Sequence, residues 1–247
     1  MKITVVTPTY NEAENLPKLV SALFSLPLDL RVLVVDDNSP DGTGAVADEL
    51  ARQNPGRVSV LHRAGKLGLR TAYLEGFASA LETETDTIVQ MDADFSHDPS
   101  ALVAMSERLA SSDVVLGSRY VSGGSVDERW PFWRKGLSAF GNFYARTILR
   151  LPLRDVTTGY RMWRRETLEG LPLHRIRANG YIFLVEMAYL AHCLEYKIGE
   201  SPIYFADRRW GKSKMSFKIQ AEAALRVWQV MWDCRDLRKL GKRARVR

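Results

Sequence analysis

The sequence has little cysteine and histidine and no long apolar run. Its 247 residues include two cysteines and four histidines, which are widely spaced, so neither a disulfide scaffold nor a zinc cluster is expected. The longest apolar stretch, residues 181–194, is interrupted by Glu186 and His192. It is also shorter than the ~20 residues of a membrane-spanning helix. We therefore expect no transmembrane helix, and no secretory signal because a strand pattern begins at once.

The body of the chain also lacks an excess of either charge. The formal net charge is +6, and the last thirteen residues, 235–247, hold seven basic residues and one acidic residue. The whole excess therefore lies on this tail. A basic tail of this kind binds an anionic membrane or nucleic acid, or is simply solvated.

Short apolar runs alternate with helical patterns through the first half of the chain. The strand patterns are Ile3–Thr7, Arg31–Val35, Val58–His62, Thr87–Met91 and Val114–Gly117. This alternation predicts an α/β fold with a mostly parallel, doubly wound sheet flanked by helices. Asn11 followed by Glu14 predicts a capped helix start with a helix to Leu23, and Asp98-Pro99 predicts another helix start.

The second half has less regular patterns. Residues 120–134 contain Gly, Pro and two Trp without periodicity, which predicts a mobile loop that closes over a ligand. Further predictions are helices near Lys135–Leu149 and Tyr181–Glu195, a strand near Ile198–Phe205 and a basic loop at 207–215. The final helix carries an apolar stripe at helical spacing, formed by Phe217, Ala221, Leu225, Trp228 and Trp232.

Acidic residues follow three of the predicted strands. Glu12 follows the first strand, Asp37 the second, and Asp92 and Asp94 the fourth, in the sequence MDADFSHDP. The carboxyl ends of parallel strands meet at one edge, where open sheets bind ligands. Asp37 alone also fits a turn, and Glu12 alone fits a charge at a helix start. Together, these acids predict a nucleotide-binding crevice.

Other nucleotide-binding patterns are missing. No G-x-G-x-x-G follows the first strand and no Walker A motif occurs. His97 lies close to the acids, but we interpret it as an ordinary loop residue. The oxygen ligands therefore favour a hard cation, Mg²⁺ or Mn²⁺, held against a phosphate.

The motifs PTYNE, VDDNSPDGT, MDADFSHDP and GSRY, in this order, resemble a family 2 glycosyltransferase of the GT-A fold. More narrowly, they resemble the dolichol-phosphate (polyprenol-phosphate) mannose synthases. KLGLRTAY at 66–73, DVTTGYRM at 155–162 and RRWGKSK at 208–214 extend the resemblance over residues 3–215. It implies a Rossmann-like GT-A (nucleotide-diphospho-sugar transferase) catalytic domain at 1–215, followed by an amphipathic helix and basic tail at 216–247. The implied reaction is an inverting transfer of mannose from GDP-mannose to a polyprenyl (dolichyl-type) monophosphate.

The resemblance also assigns roles to individual residues. Those implied to bind the donor are Pro8, Tyr10, Glu12, Val35, Asp37, Asp92, Ala93, Asp94, Arg208 and Lys214. Those implied to meet the acceptor phosphate are Arg119, Arg134 and Ser138. The implied catalytic set is Asp92, Asp94, Arg119 and Arg134. Asp94 is the main candidate metal ligand, with Asp92 in support. Ser96 stands where several relatives carry Gln, so either Ser96 or water is the third ligand. Asn179 replaces a basic residue of many relatives and receives no role.

A lipid acceptor implies contact with a membrane. We expect a cytoplasmic protein, peripheral on the cytoplasmic face of a membrane through residues 216–247. A separate membrane-protein partner is a second possibility, and packing of the final helix on the catalytic domain is a third. Another donor such as UDP-glucose stays open, because no residue distinguishes guanine from uracil. A non-enzymatic nucleic-acid-binding protein is the remaining alternative. It has no recognisable motif here and leaves the paired aspartates without a purpose.

Overall fold

The computed structural model describes residues 1–207 and 217–237, with side chains omitted for 217–223. A seven-stranded sheet is formed by β1 (Lys2–Thr9), β2 (Asp29–Asp36), β3 (Val58–His62), β4 (Thr87–Gln90), β5 (Val114–Ser118), β7 (Arg161–Arg164) and β8 (Ile198–Pro202). Its order is β3-β2-β1-β4-β7-β5-β8. Neighbouring strands are parallel except in the two pairs that include β7. This confirms the predicted mostly parallel α/β sheet.

Helices cover both faces of the sheet. They are α1 (Leu16–Phe24), α2 (Thr43–Gln53), α3 (Leu69–Leu81), α4 (Ala101–Leu109), α5 (Phe132–Ile148), α6 (Arg165–Gly170), α7 (Gly180–Cys193) and α8 (Phe217–Asp233). Successive strand residues point to opposite faces, so Val5 and Val6 enter different apolar layers. The layer of Val6 includes residues of α3, α5, α7 and α8, and the layer of Val5 includes residues of α1, α2 and α4.

The predicted helix start at Asn11 and Glu14 is wrong. Asn11 has a left-handed backbone with φ of 63°. The backbone N–H groups of Asn15 and Leu16 donate to the carbonyl of Glu12 at 3.0 and 2.9 Å, so residues 11–15 form a turn and the helix begins at Leu16. The helix after Asp98-Pro99 similarly begins at Ala101. These turns carry residues of the site, and their geometry overrides local helix preference.

The segment 120–134 has secondary structure of its own. It contains β6 (Ser125–Val126), which pairs in parallel with β9 (Tyr204–Phe205), and it ends in the first turn of α5. Trp130 is buried edge-to-face against Phe205, with ring centroids 5.7 Å apart. The single strand predicted for Ile198–Phe205 is divided into β8 and β9. The segment after β8 therefore anchors residues 120–134.

Helix α8 packs one side against the domain and exposes the other. Val227 and Val230 are buried, whereas Trp228 and Trp232 are 49% and 64% exposed. The indole N–H of Trp228 donates to the Tyr144 hydroxyl of α5 at 2.9 Å. Within the described residues, no helix combines the length and apolar character needed to cross a membrane. The basic loop and the end of the tail, 208–216 and 238–247, lie outside the described residues, so the boundary at residue 215 stays a prediction.

Candidate active site

The register of the sheet brings the predicted site residues to one edge. Thr9 at the end of β1 is paired with Asp36 at the end of β2, and Val6 is paired with Gln90 at the end of β4. Because β4 and β5 both run antiparallel to β7, the end of β5 lies at this edge too. The segments that follow these strands carry Tyr10, Asp37, Asp92 and Arg119.

The two acids after β2 have different surroundings. Asp36 accepts hydrogen bonds from the hydroxyls of Thr9 and Ser39 at 3.1 and 2.6 Å, and it therefore stabilises the turn. Asp37 is 6% exposed, and its Oδ1 accepts from Nη1 of the buried Arg63. Burial raises the pKa of the Asp37 carboxyl, and the Arg63 charge opposes this without cancelling it. The hydrogen bonds of Asp36 use both of its oxygens, whereas the bond from Arg63 to Asp37 uses Oδ1.

Neighbouring side chains contact Tyr10 and Glu12, two of the other residues predicted to border the nucleoside. The ammonium group of Lys66 lies 3.6 Å from the centroid of the Tyr10 ring. Glu12 accepts from the Asn15 amide at 2.8 Å, so it also stabilises the turn before α1. Pro8 and Val35 lie in the strands, half-buried and buried respectively.

Hydrogen bonds join the loop after β1 to the loop after β2. Three consecutive backbone N–H groups donate across the gap: Asn11 to Ser39 Oγ at 3.1 Å, Glu12 to Thr43 Oγ1 at 2.9 Å and Ala13 to Asp41 Oδ2 at 3.1 Å. Burial would raise the pKa of Asp41, but hydrogen bonds from Thr43 and Ala13 hold it below its ordinary value. The SPDGT part of VDDNSPDGT therefore holds the two loops together.

The loop after β4 fixes its two acids separately. Asp94 is 7% exposed, and its Oδ1 accepts from the backbone N–H and the hydroxyl of Ser96 at 3.0 and 2.6 Å. Phe95 between them is left-handed, with φ of 59°. Asp92 Oδ1 accepts from the buried hydroxyl of Tyr73 at 3.0 Å. Ser96 thus donates its hydroxyl to Asp94. Ala93, between the two acids, is buried.

The side chain of His97, a residue of this loop, is buried beneath it. Its Nδ1 accepts from the backbone N–H of Asp92 at 3.1 Å, which requires any ring proton of the neutral form to sit on Nε2. The ring stacks on Tyr160 at 4.8 Å between centroids and meets Phe205 edge-on. This agrees with the interpretation of His97 as a loop residue and adds that it supports Asp92.

The paired acids fit a hard divalent cation by their donor chemistry. In residues 1–207 and 217–237, no three His, Cys, Asp or Glu side chains form a group that holds a metal alone. Mg²⁺ and Mn²⁺ are commonly bound by one or two carboxylates, with phosphate oxygens and water as the other ligands. Asp94 and Asp92 would be the protein ligands in such a site.

Arg119 is a buried, paired cation. Its Nε and Nη2 donate to the two carboxylate oxygens of Asp155 at 2.7 and 2.8 Å, and Nη2 also donates to the Thr157 hydroxyl at 2.7 Å. Burial would raise the pKa of Asp155, but Arg119 holds it below its ordinary value. The pairing fixes the guanidinium through Nε and Nη2.

The first turns of α5 carry the other predicted acceptor residues. Arg134 lies with its guanidinium 3.8 Å from the Trp130 ring centroid and donates to Asp207 at 2.9 Å. One turn later, the Ser138 hydroxyl is hydrogen-bonded to the Tyr120 hydroxyl at 3.0 Å. Arg208 and Lys214 lie outside the described residues.

Several supporting residues escape sequence reasoning. Arg63, Tyr73 and Asp155 each bind a predicted site residue from a distant part of the chain. Arg161 is fully buried in β7, its Nη1 has no hydrogen-bond partner among the residues that the structure describes, and burial lowers the pKa of its guanidinium to about 9. One sequence signal does point to three of these supporting residues. Tyr73 lies in the motif KLGLRTAY, and Asp155 and Arg161 lie in DVTTGYRM.

Comparisons with known proteins agree on one family. The model of the family described as "Glycosyl transferase family 2" matches residues 4–171. The chain is 44% identical over 224 residues to the polyprenol monophosphomannose synthase of Mycolicibacterium smegmatis, covering 90% of this chain and 84% of that protein. It is also 44% identical over 227 residues to the undecaprenyl-phosphate mannosyltransferase of Micrococcus luteus, covering 92% and 93%.

A solved structure shares the fold. Glucosyl-3-phosphoglycerate synthase from Mycobacterium tuberculosis, in complex with Mn²⁺, UDP and glucosyl-3-phosphoglycerate, superposes with a TM-score of 0.63. The alignment covers 94% of this chain and 80% of that one, at 17% identity. At this identity the similarity establishes the architecture, a GT-A-like sheet flanked by helices.

Proposed function

The chain belongs to glycosyl transferase family 2, and on this premise we propose that it transfers mannose from GDP-mannose to a polyprenyl (dolichyl-type) monophosphate. The observation that carries the proposal is the arrangement at the sheet edge. Carboxylates follow β2 and β4, and the fixed cation Arg119 follows β5. This combination suits a nucleotide sugar on one side and an anionic acceptor on the other.

On the donor side, Asp37, Tyr10, Glu12, Pro8 and Val35 border the nucleoside in this proposal. Asp92, Ala93 and Asp94 run along the ribose and diphosphate, and Arg208 and Lys214 meet the donor phosphates. The Arg63–Asp37 pair supports the nucleoside assignment, because it leaves one carboxylate oxygen to accept from an N–H group of a base.

Asp94, with Asp92 in support, would hold Mg²⁺ or Mn²⁺, which would help to stabilise the charge of the departing diphosphate. The named complex of the Mycobacterium tuberculosis enzyme with Mn²⁺ and UDP supports a divalent ion in this fold. Ser96 contributes by orienting the Asp94 carboxylate, so water is the better candidate for a third ligand.

On the acceptor side, Arg119, Arg134 and Ser138 hold the lipid phosphate in this proposal. A phosphate oxygen forms a bond to the anomeric carbon while the bond from that carbon to the diphosphate breaks, and GDP leaves with the bonding electrons. Attack from the opposite side inverts the configuration. A phosphate monoester has a second pKa near ~6, so it is largely a dianion at neutral pH and needs no strong base. Arginine binds and orients such an anion.

Exposed aromatic side chains support membrane contact near the acceptor residues. On α5, Phe132, Trp133, Phe140 and Phe143 are between 56% and 87% exposed, on the side of the helix opposite Arg134 and Ser138. Leu225, Trp228 and Trp232 of the neighbouring α8 are also exposed. Aromatic faces of this kind enter the membrane interface. We propose a cytoplasmic, peripheral protein that binds through this surface and residues 216–247.

A titration of the purified protein with GDP-mannose, with and without Mn²⁺, tests the proposal. Tight binding that requires Mn²⁺, followed by release of GDP when polyprenyl phosphate is added, is the expected result. If the protein binds UDP-glucose and not GDP-mannose, the proposed donor becomes UDP-glucose. Binding to nucleic acid without either sugar nucleotide would overturn the enzymatic assignment. Vesicle binding that requires a second protein would establish a separate membrane partner.

A further inference from the structure

The motif KLGLRTAY and the preceding Arg63 have no assigned role in the proposed reaction. Helix α3 begins within this motif and holds two acids of the donor side through separate contacts. Tyr73 donates directly to Asp92. Thr71 and Glu75 bind Arg63, which in turn binds Asp37.

Arg63 is held at every nitrogen of its guanidinium. Nε donates to Glu75 Oε2 at 2.9 Å, and Nη2 donates to Glu75 Oε1 at 3.1 Å and to the Thr71 hydroxyl at 2.7 Å. Nη1 donates to Asp37 Oδ1. The backbone N–H of Arg63 donates to the carbonyl of Asp36 at 2.9 Å, so the residue is fixed at both ends. The orientation of Asp37 therefore follows that of α3.

Helix α3 packs closely against β1 and β2, the strands that end on the nucleoside side of the site. A Cβ atom on Gly76 would lie 2.5 Å from Val6 of β1 and 3.0 Å from Val35 of β2. At this position the helix lies so close to the two strands that only glycine fits. Thr71 and Glu75 of this closely packed helix hold the guanidinium of Arg63.

A buried ionic cluster is a costly way to hold a fold. The Arg63 and Asp37 side chains are 2% and 8% exposed, so both lose most of their hydration. Replacing such pairs by apolar residues is often neutral or stabilising. The arrangement does have a directional consequence, because Arg63 occupies one oxygen of Asp37 and leaves Oδ2 to accept from a ligand.

We propose that Arg63, anchored by Thr71 and Glu75 of α3, is a positioning residue that orients Asp37 toward the nucleobase of the donor and so sets donor affinity. The inference rests on the proposed function in one respect, the placement of the nucleoside beside Asp37. Arg63 itself does not contact the reacting atoms.

The test measures the Kd of GDP with Mn²⁺, and the donor KM and kcat, for a set of matched variants. Arg63→Met should raise Kd and KM about tenfold, because a hydrogen bond from a charged donor is lost. Arg63→Lys should recover part of the affinity, and Glu75→Gln should weaken it by roughly threefold. In each case kcat should stay within about twofold. Glu82→Gln, an exposed change at the end of the same helix, should leave Kd unchanged.

A double variant distinguishes orientation from general stability. If Arg63 acts through Asp37, adding Arg63→Met to Asp37→Asn should weaken GDP binding no further. A lower melting temperature with unchanged Kd in Arg63→Met would make the cluster merely structural and overturn the inference. Should the Arg63 variants fail to fold, an unchanged Kd in Glu75→Gln has the same consequence. If the wild type binds UDP and not GDP, the proposed donor is wrong. The role of Arg63 is then tested by measuring the Kd of UDP for the same variants.

Discussion

At the scale of single residues, Asp94 is held by two hydrogen bonds from Ser96 to the same oxygen, Oδ1. Asn at this position can keep the oxygen as an acceptor but removes the negative charge that a divalent cation requires. We expect Asp94→Asn, like Asp94→Ala, to lower turnover on the order of 100-fold and to weaken Mn²⁺ binding in the presence of GDP. Calorimetry with Mn²⁺ and a transfer assay measure the two effects.

Asp98 supplies the matched control for this variant. It lies in the same loop, is exposed, and accepts from the backbone N–H of Ser100 at 2.9 Å. Asp98→Asn should therefore retain both activity and Mn²⁺ affinity. Full activity in Asp94→Asn would remove Asp94 from the metal assignment.

Tyr73 offers a second test, because one hydroxyl links α3 to Asp92. Tyr73→Phe removes that hydroxyl from a fully buried position while keeping the ring stacked on Phe77 and Phe183. A hydrogen bond to a charged group is worth about 1.5–3 kcal/mol, so kcat/KM should fall by roughly tenfold or more. Tyr144→Phe, which loses the hydroxyl contacts to α8 instead, should leave kcat/KM with a soluble acceptor unchanged. Equal kcat/KM in Tyr73→Phe and wild type would contradict the role of Tyr73.

At the scale of elements, α5 and α8 both expose aromatic side chains, and the Tyr144 hydroxyl of α5 is hydrogen-bonded to α8. Changing both Phe140 and Phe143 to Ser should lower partitioning into anionic vesicles by tenfold or more, because burial of each ring contributes about 1.5–3 kcal/mol. Their exposed fractions, 63% and 56%, mean that the melting temperature should change little. Sedimentation with vesicles measures the effect. The equally exposed Leu67 is the control, and Leu67→Ser should sediment like the wild type.

The elements also show how far the sequence predicts this fold. The first five strands match their predicted positions closely, because each is a short apolar run, and all except the edge strand β3 are buried on both faces. Strand β7 was missed because its sequence, RMWR, begins and ends with arginine. Its strand character depends on pairing with β4 and β5, which no local pattern records. The start of α1 was misplaced because Asn11 is left-handed in a turn that the loop after β2 holds from across the site.

The residues of the site likewise include some that the sequence predicts and some that it does not. Acids at strand ends are predictable, because the strand direction alone sends them to one edge. Their supports are not, since Arg63 reaches Asp37 from 26 residues away and Asp155 reaches Arg119 from 36 residues away. Such contacts depend on how helices and loops pack over the finished sheet. The sequence pattern also shows only part of the aromatic face of α5, because the predicted helix starts at Lys135 and leaves out Phe132 and Trp133, whereas α5 begins at Phe132.

At the scale of the whole molecule, the basic tail begins before the folded body ends. The excess positive charge begins at residue 235, but the folded body continues beyond that point. Arg175 binds Asp236 through two hydrogen bonds of 2.7 and 2.9 Å, and Cys234 and Leu237 are buried. A chain shortened to Asp233 would therefore lose packing as well as charge. Shortening it after Leu237 separates the two effects.

Residues 238–247 contain six Lys or Arg and no acid. Each basic residue near an anionic membrane contributes about 1 kcal/mol, and salt screens this attraction. A chain ending at Leu237 should therefore bind anionic vesicles at least about tenfold more weakly than the full chain. It should lose most of its salt dependence while keeping its melting temperature and GDP affinity. Neutral vesicles provide the control, because the aromatic surface of α5 and α8 should bind them equally in both chains. Undiminished binding to anionic vesicles would assign membrane attachment to that surface alone.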